Sequence, residues 1–300
     1  MREAGSMAEA RATIGVIGGS GLYQMPGLTD IEEVTLETPF GAPSDAYTIG
    51  SLAGERVAFL PRHGRGHRIS PTELPVQANI YGFKQLGIRH LLSISAVGSM
   101  KLEIAPLDLV IPDQLFDRTS LRPRTFFSDG VVAHVGFGDP FCPDLRQVLA
   151  EAAEATGARV HRGGTYLCIE GPQFSSRAES RIYRQWGVDI IGMTAIPEAK
   201  LAREAELCYA TLALATDYDV WHESEEAVTV EMVVANMHKN VARAQEVIRR
   251  VVPLIAAARA TMTCSCASAL AGAIMTAPER IPPATRRRLG ILVDKYLPPA

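Results

Sequence analysis

Asp217 and Asp219 stand two residues apart in LALATDYDVWHE (212–223), where an apolar run through Leu212, Leu214 and Ala215 gives out. At the end of a strand, residues i and i+2 project to the same side. The two carboxylates should therefore face one pocket, with Tyr218 turned away between them. Two close carboxylates resist double ionisation, so one pKa rises. An ionised acid beside a protonated one suits adenine, whose exocyclic amino group donates and whose N7 accepts. A protonated Asp219 at N7 would also be the general acid for a departing purine. The alternative is a surface turn with solvated acids, against which the apolar run before the pair speaks.

Other polar clusters fall at expected strand ends. In IGVIGGSGLY, Gly18, Gly19 and Gly21 let backbone N–H groups approach an anion. A dinucleotide fingerprint would need a third glycine where Gln24 stands, and no Gly-Lys pair exists for a P-loop. A bare glycine turn remains open. LPRHGRGHRISP gathers Arg62, His63, Arg65, His67 and Arg68. Its glycines make a helical His63/His67 metal pair improbable, and the chemistry suits an oxyanion, with a bidentate Arg fork and a His donor. A solvated basic loop is the competing reading. Ser95 and the Ala96 N–H end the run SISAVGS and are able to add donors, or simply to cap a turn. In IEGPQFSSRAES and IIGMTAIPE, Phe174 suits stacking on a flat base, Ser175 its edge, and Thr194 a hydroxyl contact; plain packing is the alternative for the aromatic.

These clusters need a scaffold, and the chain supplies alternating strands and helices. ATIGVIGG reads as a first strand over Thr13–Ile17, ERVAFLPR as a second, and HLLSISAVGS as a buried one. DLVIPDQ and VDIIGMT are further short strands, and CYATLALAT leads to the acid pair. Helical spacing marks PVQANIYGFKQLG with Gly87 as its stop, 143–156, PEAKLAREAEL, and the long stretch after Thr229. Such alternation predicts an α/β domain around a largely parallel sheet. One domain over 13–300 is expected, behind a loose tail over 1–12 that has no apolar centre and so no signal peptide; Met7 is an alternative start.

Composition sets the limits. The 300 residues are 47% hydrophobic and 21% charged, with a net charge of -3. No run reaches the roughly 18 apolar residues of a membrane span. Basic residues are not clustered as a nucleic-acid partner requires. Five cysteines without CxxC spacing predict neither a disulfide framework nor a zinc site, and point to a reducing cytoplasm.

Taken in order, IGVIGGSGLY, TPFGAPSDA, RHGRGH, SAVGS, DQLFDRT, IEGPQFSSRAES, GMTAIPEAKLARE and ATDYDVW resemble the purine nucleoside phosphorylase superfamily, specifically its 5'-methylthioadenosine phosphorylases, over about residues 13–258. The resemblance implies a purine nucleoside phosphorylase-like α/β fold around a mixed, partly barrel-like sheet, usually a homotrimer. It implies phosphorolysis of 5'-methylthioadenosine by a pentosyltransferase of methionine salvage, with phosphate as co-substrate and no metal or organic cofactor. Phosphate would be held at Ser20, Arg62, His63, Ser95, Ala96 and Thr194, and the ribose at Met193. The base would meet Phe174, Ser175 and the 217–219 stretch, including Tyr218. Val230 and Val233, on an apolar helical stripe with Val234 that core packing also explains, would line the 5' pocket. His134 would reach the nucleoside of a neighbouring subunit. Some thermophilic members carry a disulfide in a CxC like Cys264–Cys266; a reduced pair is expected here. Phosphorolysis of 5'-methylthioinosine or of inosine and guanosine, hydrolysis by water, and nucleoside binding without catalysis are the rival readings.

Overall fold

Aliphatic runs form the strands, and their burial shows on which sides they are covered. In the computed structural model, residues 10–297 are described except 20, 23–24 and 223–229, together with the side chains of 230–233, 237 and 238. The strands are β1 (Ile14–Gly18), β2 (Thr29–Val34), β3 (Tyr47–Leu52), β4 (Glu55–Pro61), β5 (His90–Ser99), β6 (Leu109–Ile111), β7 (Gln114–Arg118), β8 (Val160–Arg162), β9 (Thr165–Ile169), β10 (Ile190–Gly192) and β11 (Cys208–Asp217). The helices are α1 (Val76–Gln85), α2 (Pro143–Glu154), α3 (Arg177–Gln185), α4 (Ala195–Glu204), α5 (Val230–Ala258) and α6 (Pro283–Leu289).

Among the described residues, the strands join in one mixed sheet in the order β2-β3-β4-β1-β5-β10-β9-β7, with β11 on β5, then β6 and β8. The centre is parallel: β1 pairs with β4 and β5, and β5 pairs with β11 from His90↔Cys208 to Gly98↔Asp217. The sheet departs from the expected parallel pattern at β2–β3–β4, an antiparallel meander, and where β10 meets β5 and β6 meets β11. Alternate residues of the central strands serve opposite faces. Ile17 and Leu91 pack in one core with α1 and α4, whereas Val16, Leu92 and Ile94 pack in another with α2 and α5. Burying each such side chain contributes about 1.5–3 kcal/mol.

Local signals explain several boundaries. α1 stops at Gly87, whose φ of 88° is the left-handed conformation that ends helices. DLVIPDQ is two strands rather than one, because Pro112 cannot donate to a ladder. The body begins before residue 13: Arg11 and Ala12 donate their N–H groups to Leu86 O, and Ala12 is buried. The cysteines also depart from expectation. The sulfurs of Cys142, Cys208, Cys264 and Cys266 all lie within 4.8 Å of one another. Ligand spacing along the chain could not reveal this, since three distant segments contribute.

Candidate active site

The site residues gather at the carboxyl ends of β1, β4, β5 and β11, where parallel strands leave their polar termini open to a ligand. β11 is wholly buried and carries a register shift between Ala215 and Asp217 against β5. A bulge of this kind re-aims the side chains that follow. The strand ends at Asp217, so the two acids do not meet by strand alternation. Instead the chain turns: Asp219 has φ 53°, and its N–H donates to Asp217 Oδ1 at 2.8 Å. This is the local side-chain-to-backbone turn that aspartate favours. Thr216 Oγ1 donates to Asp217 Oδ2 at 2.6 Å, so both oxygens of Asp217 act as acceptors.

Asp219 is also buried, and Ser180 Oγ on α3 donates to its Oδ2 at 2.5 Å. Burial raises the Asp219 carboxyl above its ordinary range, and the Asp217 charge adds to that, despite the Ser180 hydrogen bond. The pair rests on Gly98 of β5. A Cβ there would stand 2.9 Å from Asp217 Oδ1 and 3.4 Å from Asp219 Cβ, so any side chain would push the Asp217 carboxylate from its place. Tyr218 is turned away: its hydroxyl donates to Leu102 O at 3.2 Å and its ring stacks on His222. Its side chain packs beside the pair.

About three residues, or roughly 10 Å, back along β5 lies a second cluster. Ser95 Oγ is 2.8 Å from Thr194 Oγ1 and 3.2 Å from the Tyr166 hydroxyl, all three groups buried. Ala96 follows on the same strand, half-buried. Tyr166 reaches this point because Gly192 carries no side chain in its path. Thr194 opens α4, whose Glu198 is fully buried.

Arg62 lies deep in the interior. Its guanidinium is 2% exposed and pairs with Glu198, Nε to Oε1 at 2.5 Å and Nη2 to Oε2 at 3.2 Å. The remaining bonds run to Ile94 O, Ile17 O and Ser93 Oγ. Much of the fork is engaged by this internal carboxylate, which Ser93 and Tyr209 also contact. Burial disfavours the Arg62 charge, but Glu198 outweighs it and keeps the guanidinium protonated.

His63 is also bound internally. Its Nδ1 lies 2.9 Å from Ile69 O, an acceptor, so the neutral ring must carry its proton there. Burial, with the nearby Arg62 charge, holds its pKa down at about 4. Nε2 is therefore a bare acceptor near neutral pH rather than the donor expected from the residue type.

The base-side loop follows β9. Phe174 is 48% exposed, and Ser175 Oγ is buried with no partner among the described residues. Met193 packs its thioether on Gly171, which has φ 68°. Arg122, absent from the sequence reading, ties these parts together. It donates to Glu170 Oε1 at 2.9 Å, to Met193 O and Ile196 O at 2.6 Å each, and to Glu170 O at 2.5 Å. Glu170 also accepts the N–H groups of Ser120 and Leu121, and these bonds with Arg122 overcome burial and lower its pKa to about 2. Arg122 lies in no recognisable ligand motif, and Glu170, although inside IEGPQFSSRAES, gives no local sign of a partner about fifty positions away.

His134 is exposed, and its backbone N–H donates to Ala273 O, away from the clusters above. Ser20 lies outside the described residues, as do the side chains of Val230 and Val233.

The chain is similar to known proteins over nearly its whole length. The family model described as Phosphorylase superfamily matches residues 13–253. An S-methyl-5'-thioadenosine phosphorylase of Gloeobacter violaceus is 59% identical, over 97% of this chain and 98% of its own. One from Koribacter versatilis is 56% identical, over 95% and 97%. Among solved structures, a methylthioadenosine phosphorylase sourced from an antarctic soil metagenomic library superposes with a TM-score of 0.90 at 50% identity, covering 95% of this chain and 99% of that one. A methylthioadenosine phosphorylase from Schistosoma mansoni in complex with adenine gives 0.83 at 34%, covering 88% and 99%. With identity at more than half of the positions and one family model running from β1 through most of α5, this chain belongs to the phosphorylase superfamily and, within it, to the S-methyl-5'-thioadenosine phosphorylases.

Proposed function

We propose that the chain catalyses phosphorolysis of 5'-methylthioadenosine, giving adenine and 5-methylthioribose 1-phosphate. The observation that carries this reading is the buried acid pair, with the Asp219 carboxyl pushed above its ordinary range beside an Asp217 that accepts two hydrogen bonds. Asp217 takes the exocyclic amino group of adenine, and Asp219 gives its proton to N7 as the N9–C1' electrons move into the ring. Phosphate adds to C1' from the Ser95–Thr194 side, roughly 10 Å along β5. Phe174, Ser175 and Met193 take up the base and sugar between these ends, and the unpartnered Ser175 hydroxyl supports a ligand contact there.

The phosphate side is close to charge-balanced, because Arg62 is matched by Glu198, and Arg122 by Glu170. Hydroxyls and backbone N–H groups of the Gly18–Gly21 turn and of Ala96 therefore supply the hold on the anion, with Ser20 included by resemblance. The lone pair on His63 Nε2 suits the one P–O–H of hydrogen phosphate. The protons balance: phosphate sheds one to solvent as the new C–O bond forms, and the purine gains one from Asp219. Inorganic phosphate is the co-substrate, and the reading needs no organic cofactor and no metal in the reaction.

A homotrimer in the cytoplasm completes the proposal. His134, Val132 and Met275 share an exposed patch, Met275 N donating to Val132 O at 2.9 Å, which suits a face that a neighbouring subunit covers. Sedimentation would show three chains per particle, and a monomer with full activity would overturn that part.

The decisive test is adenine release from 5'-methylthioadenosine with and without phosphate, followed chromatographically. Turnover should require phosphate; equal rates without it would mean hydrolysis, and binding without product a nucleoside carrier. Asp219→Asn should lose on the order of 10²–10³ in kcat on 6-aminopurines and gain relatively on 5'-methylthioinosine. A larger loss in Asp217→Asn than in Asp219→Asn would reverse the two roles.

A further inference from the structure

Four of the five cysteines converge at the end of the molecule opposite the acid pair. Cys142 caps α2, Cys208 begins β11, and Cys264 and Cys266 lie on the segment after α5. Cys208 Sγ and Cys264 Sγ are 3.5 Å apart, and all four sulfurs lie within 4.8 Å of one another. Tetrahedral zinc with Zn–S bonds of about 2.3 Å places its sulfurs about 3.8 Å from each other. A disulfide needs about 2.05 Å between two sulfurs and gives no reason for four to be mutual neighbours. We propose that Cys142, Cys208, Cys264 and Cys266 form a tetrathiolate site for a structural zinc ion.

The surroundings are built for thiolates. Cys142, Cys208 and Cys266 are 1%, 8% and 3% exposed. Leu145 N, in the first turn of α2, donates to Cys142 Sγ at 3.4 Å, and the helix N-terminus favours negative charge on that sulfur. Asp144 Oδ2 accepts the N–H groups of Thr263 and Cys264 at 2.6 and 2.8 Å, which fixes the CxC segment over α2. Cys142 N donates to Tyr209 O at 2.8 Å and so holds α2 to β11. Arg203 lies within electrostatic reach of Cys266 and offsets part of the double negative charge of a zinc tetrathiolate. On binding, the four thiols release their protons to solvent as four Zn–S bonds form.

The role is structural rather than chemical. Cys208 is the first and Asp217 the last residue of β11, on the order of 30 Å apart along the strand. The ion would clamp α2, the start of β11 and the chain after α5, three segments with no sequence proximity. The inference does not depend on the proposed reaction.

The full chain, purified under reducing conditions without chelator, should carry about one zinc per chain by elemental mass spectrometry. Exchange with Co²⁺ should produce the sulfur-to-cobalt charge-transfer band and the intense visible bands of a tetrahedral site. Cys266→Ser should lose both signals, while Cys168→Ala, outside the cluster, keeps them. Stripping the metal should lower the thermal midpoint by roughly 5–10 °C and leave kcat at low temperature unchanged. If the Cys266 variant does not fold, the cobalt titration of the unaltered chain decides alone. A folded, reduced chain that takes up neither Zn²⁺ nor Co²⁺, or cysteines found as disulfides in the chain as purified, would overturn the proposal.

Discussion

At the residue scale, burial decides what each charged group does. Arg62 has the residue type of an anion clamp, yet its fork closes on Glu198 inside the protein. Breaking a buried pair leaves an uncompensated charge and costs about 3–5 kcal/mol. Glu198→Gln should therefore lose stability of that order in urea denaturation, with a smaller change in KM for phosphate; a phosphate effect without loss of stability would contradict the internal pairing. Ser180 works in the opposite sense on Asp219. Its hydroxyl stabilises the ionised carboxylate, so Ser180→Ala should raise the Asp219 pKa further. The alkaline limb of kcat/KM, which requires protonated Asp219, should move to higher pH, and a shift to lower pH would deny Asp219 the acid role.

At the scale of elements, the strands bearing the site were legible because their burial is uniform and their ends are marked by Gly or Asp. HLLSISAVGS is β5 over the same ten residues, and CYATLALAT became β11 one residue longer. β2 escaped because Thr29–Val34 is an edge strand with Asp30, Glu32 and Glu33 on it, and edge strands carry charge where central ones carry aliphatics. α3 escaped inside a stretch read for its loop chemistry, although Ser176 and Glu179 form a complete capping box there. The acid pair was legible as residues but not as geometry: a turn after Asp217, not strand alternation, brings Asp219 back. That geometry depends on β5 being bare at one point. Gly98→Ala should cost at least tenfold in kcat/KM by displacing Asp217, while changing the thermal midpoint little. Unaltered kinetics would mean that the pair tolerates displacement from β5.

For the whole molecule, pH links stability to buried groups distant from one another. His63 and His90 are both held at about 4 by burial, with neighbouring Arg charge adding to it, against an ordinary 6.5. As pH falls below about 6.5 the unfolded chain takes up these protons first, so stability present above that pH is lost down to about pH 4. Glu204 acts oppositely: burial raises it to about 7, so its contribution is present below its ordinary 4.5 and is lost as pH rises to 7. Between pH 7 and 5 the two histidines outweigh the one acid, for a net loss of roughly 1–2 kcal/mol. Glu204→Gln removes the opposing contribution and should steepen the loss to roughly 3–4 kcal/mol in urea titrations at the two pH values. An equal slope in both proteins would show that Glu204 folds ionised. Among the described residues no helix is long and apolar enough to cross a membrane.

Arg122 joins the loop that follows β9 to the turn that opens α4 through one guanidinium. It works as a spacer bar: on the proposed reading, the seat for the nucleophile and the seat for the leaving group would keep their separation through it. A nucleoside bound as proposed would find its bond-breaking distance already measured out, and any closing movement would fall to segments that Arg122 does not hold.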